Sequence, residues 1–210
     1  MKKHIVLNAL PGKKMTVVAI LISIAGFMSF TFDNKSKNND IKDETYNSDS
    51  VESVKAFMDV YKVLMSPRCM NCHPSGDMPL QGDDNHLHMM FPKRGEDGKG
   101  VYAMKCANCH QPENTPGLNT PPGNPNWHLP PSDMKMIFQG KTANELAKQL
   151  LDPNKNGHKS KEQLIAHASD GLLMGAWNPG EGRTLPPMNY DDFKKAWITW
   201  IDKGAYAPNP

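Results

Sequence analysis

Cys69-Met70-Asn71-Cys72-His73 and Cys106-Ala107-Asn108-Cys109-His110 are two copies of one pattern, C-x-x-C-H. The pattern is the attachment site of a c-type haem: two thiols add across the porphyrin vinyl groups, and the adjoining histidine binds the iron from one side. The two copies use all four cysteines of the 210-residue chain, so none is left for a disulfide or a lone catalytic thiol. The competing chemistry is a zinc site of two Cys-x-x-Cys knuckles, or a redox dithiol. Neither needs a histidine directly after the second cysteine. Histidine is 8 of 210 residues, which makes two such neighbours by coincidence a chance of roughly 0.2% under this motif definition. The pattern predicts two covalently attached haems c. Cys69, Cys72, Cys106 and Cys109 are the attachment points, and His73 and His110 are the proximal iron ligands.

The amino terminus agrees with that chemistry. Lys2, Lys3, Lys13 and Lys14 make a basic start without an acidic residue, and an apolar run of 18 residues, Met15 to Phe32, follows. Residues 1–32 therefore read as a signal peptide or an N-terminal membrane anchor with its lysines in the cytoplasm. Everything after them is expected on the periplasmic side, where bacterial haem attachment takes place. Ser29-Phe30-Thr31 is a poor small-x-small cleavage site, which tilts the reading towards an uncleaved anchor. Residues 33–50, rich in Asn, Asp, Lys and Ser, read as a polar linker. The chain carries 24 Lys+Arg and 22 Asp+Glu, but four of the basic residues lie in the export segment. The remainder is slightly acidic, so the formal net charge of +2 is no argument for nucleic-acid binding.

Residues 51–210 are expected to form one mainly α, cytochrome c-like domain with long Pro/Gly-rich loops, carrying both haems. Val51 to Met65 has apolar residues at 51, 54, 57, 58, 61, 64 and 65, the spacing of an amphipathic helix that Pro67 ends. Asn189 to Lys203 predicts a second helix, N-capped by Asn189, with Phe193, Ala196, Trp197, Trp200 and Ile201 on its apolar face. Thr142 with Glu145, and Ser160 with Gln163, resemble capping boxes that open helices over 142–151 and 160–168. No alternating strand stands out. Gln111 to Pro131 holds seven prolines, and Trp127, His128 and Leu129 within it suggest a loop that wraps a rigid object. The two motifs are too close in sequence for two ordinary one-haem domains in tandem. One compact domain with both haems near each other is expected, its first and last helices packed together.

The opposite face of each iron is the open question. Methionine or histidine there gives a six-coordinate electron carrier, and methionine raises the potential. His88 and His86 lie between the motifs; His128 follows Trp127; His167 ends a predicted helix. Met136 precedes Ile137-Phe138, and Met188 precedes the last helix. His88, His167, Met136, His128 and Met188 are the distal candidates. No acid–base carboxylate pair, phosphate-cradling glycine loop or Ser-His-Asp set stands out, so no catalytic residue is assigned.

Pro67-Arg68-Cys69-Met70-Asn71-Cys72-His73-Pro74, Gln81-Gly82-Asp83-Asp84, Pro121-Pro122-Gly123-Asn124-Pro125-Asn126-Trp127-His128-Leu129-Pro130-Pro131 and Trp177-Asn178-Pro179-Gly180-Glu181-Gly182-Arg183-Thr184 carry a further signal together. Over roughly residues 55–207 the chain resembles the bacterial dihaem c-type cytochromes known as isoquinoline 1-oxidoreductase subunits. The resemblance implies a partner, a periplasmic molybdenum hydroxylase of the xanthine-oxidase type, whose electrons such a subunit passes to the respiratory chain. With every cysteine committed to haem, this chain has none for an iron–sulfur cluster, so the enzyme name would describe the complex. A free-standing respiratory cytochrome c, and a dihaem peroxidase-like enzyme with one open iron, are the alternatives.

Overall fold

The computed structural model describes residues 36–210, with the segment read as a signal peptide or anchor outside that range. The described part is mainly helical: α1 (Ser36–Leu64), α2 (Pro67–Met70), α3 (Ala143–Leu151), α4 (Lys161–His167), α5 (Gly171–Met174) and α6 (Tyr190–Asp202). Asp43–Pro210 form one compact unit that holds both motifs; residues 36–42 belong to a separate one. Among the described residues no helix is long and apolar enough to cross a membrane.

The predicted helices form where their caps place them. The Thr142 hydroxyl accepts from the Glu145 N–H while the Glu145 carboxylate takes the Thr142 N–H, so α3 opens on a complete capping box. Ser160 and Gln163 do the same for α4, and the Asn189 side chain accepts from the Asp192 N–H to open α6. α1 differs from expectation. It begins at Ser36, so most of the segment read as a linker is helical, and the compact unit starts before Val51. Lys203 at the end of α6 bonds Asp49 (2.8 Å) and Glu52 (3.2 Å), which holds this part of α1 to the domain.

The first and last helices of the domain pack together, as expected. Phe57 meets Trp200 at 4.6 Å between ring centroids. The fully buried Ser53 donates to the Trp200 carbonyl (2.9 Å) and accepts from the Tyr206 N–H (3.0 Å), a polar link that a small side chain permits at a close helix crossing. The buried face of α1 is Ser53, Ala56, Phe57, Val60, Val63 and Leu64, turned from the predicted stripe: Val51 and Met58 are exposed. Phe138, Leu146, Ala147, Leu150, Leu164 and Ala168 complete the core with Phe193, Trp197, Trp200 and Ile201.

Outside this core the chain is loops with two antiparallel ladders of two residues per strand. β1 (Leu80–Gln81) pairs with β2 (His86–Leu87), and β3 (Gly100–Val101) pairs with β4 (Met104–Lys105). Strands this short show no alternation, which is why the sequence did not reveal them. Each hairpin is bonded to the backbone or side chains beside one Cys-x-x-Cys-His motif.

Candidate functional site

The first motif starts with Pro67 at the opening of α2, where its fixed φ suits a helix and its missing N–H costs nothing. The Cys72 N–H donates to the Cys69 carbonyl and the His73 N–H to the Met70 carbonyl, both at 3.1 Å. This continuous turn sets the two thiols one turn apart and projects the histidine beyond them. Asn71 clips the turn to the first hairpin: its carbonyl takes the Leu80 N–H (2.9 Å), its amide donates to the Gly82 carbonyl (3.0 Å), and it accepts from Asn85 (2.7 Å). Arg68 donates to the Gly82 carbonyl and pairs with Asp83.

His73 is held from several sides. Its Nδ1 lies 2.7 Å from the Met136 carbonyl. A carbonyl only accepts, so Nδ1 carries the proton and Nε2 keeps its lone pair. The ring stacks on Phe138 (3.9 Å, 10° between planes), and the His73 carbonyl takes the Phe138 N–H (2.9 Å).

The second motif repeats the device with other parts. A 3₁₀ turn, Cys106–Asn108, follows β4, and the Cys106 carbonyl takes the N–H groups of Cys109 (3.2 Å) and His110 (2.9 Å). His110 Nδ1 lies 2.7 Å from the Pro122 carbonyl, and its ring stacks on Trp127 (4.0 Å, 8°). The Pro-rich loop is brought down at Gly98 (φ +75°), whose carbonyl takes the Leu129 N–H at 2.9 Å. A Cβ there would stand 1.8 Å from the Leu129 carbonyl oxygen, so only glycine allows the approach.

Burial governs the electrostatics. It pushes the Cys69 thiol up to about 12 and the Cys72 thiol up to about 11, and draws His73 down to about 4. Burial also raises Cys106 and lowers His110. Neutral thiols in such surroundings are poor nucleophiles, and a thioether, being uncharged, suits them. Among the described residues no three His, Cys, Asp or Glu side chains converge as ligands of one ion. A haem needs no such cluster, since a porphyrin supplies four of its iron's donors and takes one or two from protein. The two motifs are near neighbours, since Cys72 lies within electrostatic reach of Cys106.

The distal candidates scatter. His88 stands 6.1 Å from His110, centroid to centroid, its plane at 63°. His86 is exposed and pairs with Asp84 at 2.6 Å. His128 Nδ1 faces the Asn126 carbonyl at 2.5 Å. His167, half-buried at the end of α4, lies within electrostatic reach of both His73 and His128. The Met136 carbonyl sits at Nδ1 of His73, on the ring edge away from Nε2. Met188 is half-buried against the core, and its carbonyl takes the Trp177 indole N–H at 2.8 Å.

Sequence reasoning marked both Trp127 and His110 but not their stacking, and missed the parts played by Phe138, Asn71 and Arg94. Arg94 is almost fully buried and donates to the carbonyls of Pro130 (2.6 Å) and Gly76 (3.2 Å), with its Nε unpartnered. It joins a loop after the first motif to the loop around the second. Backbone carbonyl acceptors have no side-chain signature, so the clamps on both Nδ1 atoms could not be read beforehand.

No family model matches the chain, and no curated protein or solved structure matches it.

Proposed function

We propose that the chain is a dihaem c-type cytochrome that transfers electrons on the periplasmic side of the cytoplasmic membrane. One observation carries the reading. In both Cys-x-x-Cys-His motifs a backbone carbonyl 2.7 Å from Nδ1 fixes the histidine as the tautomer with Nε2 free, and an aromatic ring stacked on it fixes its direction. Metal-ligating histidines are oriented in this way, because the acceptor at the far nitrogen sets both tautomer and basicity.

Cys69 and Cys72 with His73 would hold one haem, and Cys106 and Cys109 with His110 the other. Bound there, each iron supplies a reversible one-electron couple. The chain's own part is to aim Nε2, keep the histidines neutral by burial, and hold the two groups close within one compact unit. The unpartnered Nε of Arg94 and of Arg68 are donors suited to propionate oxygens.

The electron donor we propose, on the resemblance of the Trp-His-Leu-Pro-Pro and Pro-Gly-Glu-Gly-Arg segments, is a periplasmic molybdenum hydroxylase, with a respiratory acceptor downstream. The test is expression of the full chain with a c-haem maturation system, redox titration, and affinity purification from its native host. Two reversible one-electron couples and a co-purifying molybdenum subunit are expected. A chain with the two couples but no such subunit would be a free-standing respiratory cytochrome.

A further inference from the structure

We propose that His88 and His110 grip one iron from opposite faces, making the second motif's haem a bis-imidazole centre. The inference rests on the dihaem reading and deepens it.

Three observations carry it. The first is spacing. A first-row metal–imidazole bond is about 2.0 Å, and a ring nitrogen lies about 1.2 Å from its ring centre, so two imidazoles trans on one ion stand about 6 Å apart. His88 and His110 stand 6.1 Å apart. The second is tautomer. His88 Nδ1 faces the Met89 carbonyl at 2.6 Å, as His110 Nδ1 faces that of Pro122. Both rings therefore keep the proton on Nδ1 and the lone pair on Nε2, so each can donate to a metal through Nε2.

The third is how the loop is built. The His88 N–H donates to the Pro79 carbonyl (3.1 Å), its carbonyl takes the Phe91 N–H (3.1 Å), and the Met89 N–H donates to the Gln81 side chain (3.0 Å). The imidazole thus stands on a pinned backbone beside the first hairpin. Met90 (φ +66°) and Phe91 (φ +52°) adopt a left-handed conformation that bulky residues avoid. Leu87, Met89, Met90 and Phe91 all stay exposed around His88. The loop gains no core burial for this strain; its shape presents an imidazole with an apolar rim, the surface a porphyrin edge would cover.

The consequence is two unequal haems if the His73 iron takes a methionine, since methionine raises the potential relative to histidine. His88 is also close enough in sequence to the first motif that one hairpin would couple the two haem environments.

The experiment uses the matured, full-length chain and its His88→Ala and His88→Met variants. Covalent haem is counted by pyridine haemochrome, and ligation is read by low-temperature EPR and near-infrared magnetic circular dichroism. The expected wild-type spectrum contains a bis-imidazole component. His88→Ala should lose that component, gain a high-spin signal, and recover on added imidazole. His88→Met should convert it to a histidine–methionine signature and raise one of the two potentials. Both variants should keep two haems per chain. An unchanged bis-imidazole component in both variants, or none in the wild type, overturns the proposal. A wild-type chain with no covalent haem at Cys106 and Cys109 fails the dihaem reading itself, and the stoichiometry distinguishes that outcome from the others.

Discussion

The two motifs share four of five residues and little of their surroundings. Cys69 packs against the helical core, and the His73 ring lies on buried Phe138, a core residue. The second motif is held by a hairpin and a Pro-rich loop; Cys109 is exposed, and the ring beneath His110 is the half-buried Trp127. Yet the clamp is the same in both, a carbonyl on Nδ1 and a ring on the face. A short sequence pattern specifies the chemistry, while the environment that tunes it comes from distant segments.

The contrast is broken most easily through the thiols. In the haem-free folded chain, the rise of Cys69 from 9.0 to about 12 implies a thiolate fraction about a thousandfold smaller at neutral to mildly alkaline pH. Alkylation followed by mass spectrometry should label Cys109 first and Cys69 last. Equal rates would erase the difference in burial. Next in size are the stacked rings. Phe138→Ala should cost about 3–5 kcal/mol in denaturant unfolding, and Trp127→Ala, half-buried, about 1–2 kcal/mol; the reverse order would place the core at the wrong motif.

Arg94 tests the link between the regions. Arg94→Ala leaves the carbonyls of Gly76 and Pro130 without their donor and should cost about 2–3 kcal/mol, with Arg94→Lys recovering part. A variant that perturbs the spectrum of one haem only would mean that Arg94 serves one site. The smallest effect expected is at the cap of α3. Thr142→Ala should cost about 1 kcal/mol, lowering the thermal midpoint while leaving the haem spectra unchanged.

Local signals were readable in the sequence: the caps at Thr142, Ser160 and Asn189, the apolar face of α6, and the packing of first helix on last. The stripe of α1 was read with the wrong edge, because Val51 and Met58 fit the spacing while Ser53, which the structure buries for its hydrogen bonds to the Trp200 and Tyr206 backbone, looks polar. The helix over 36–50 was missed because its composition is that of a linker. At the candidate site, the cysteines and histidines were marked because the proposed haem attachment requires those residue types. Pro122 and Met136 act through their carbonyls, which every residue has. His88 stood among several histidines until the hairpin set it opposite His110.

The central claim is tested most directly by counting covalent haem on the denatured, matured chain, by haem stain and intact mass. The account predicts two haems per chain, one in the Cys69→Ala/Cys72→Ala variant and one in the Cys106→Ala/Cys109→Ala variant. A matured chain without covalent haem, or one that carries zinc at these cysteines, would contradict it.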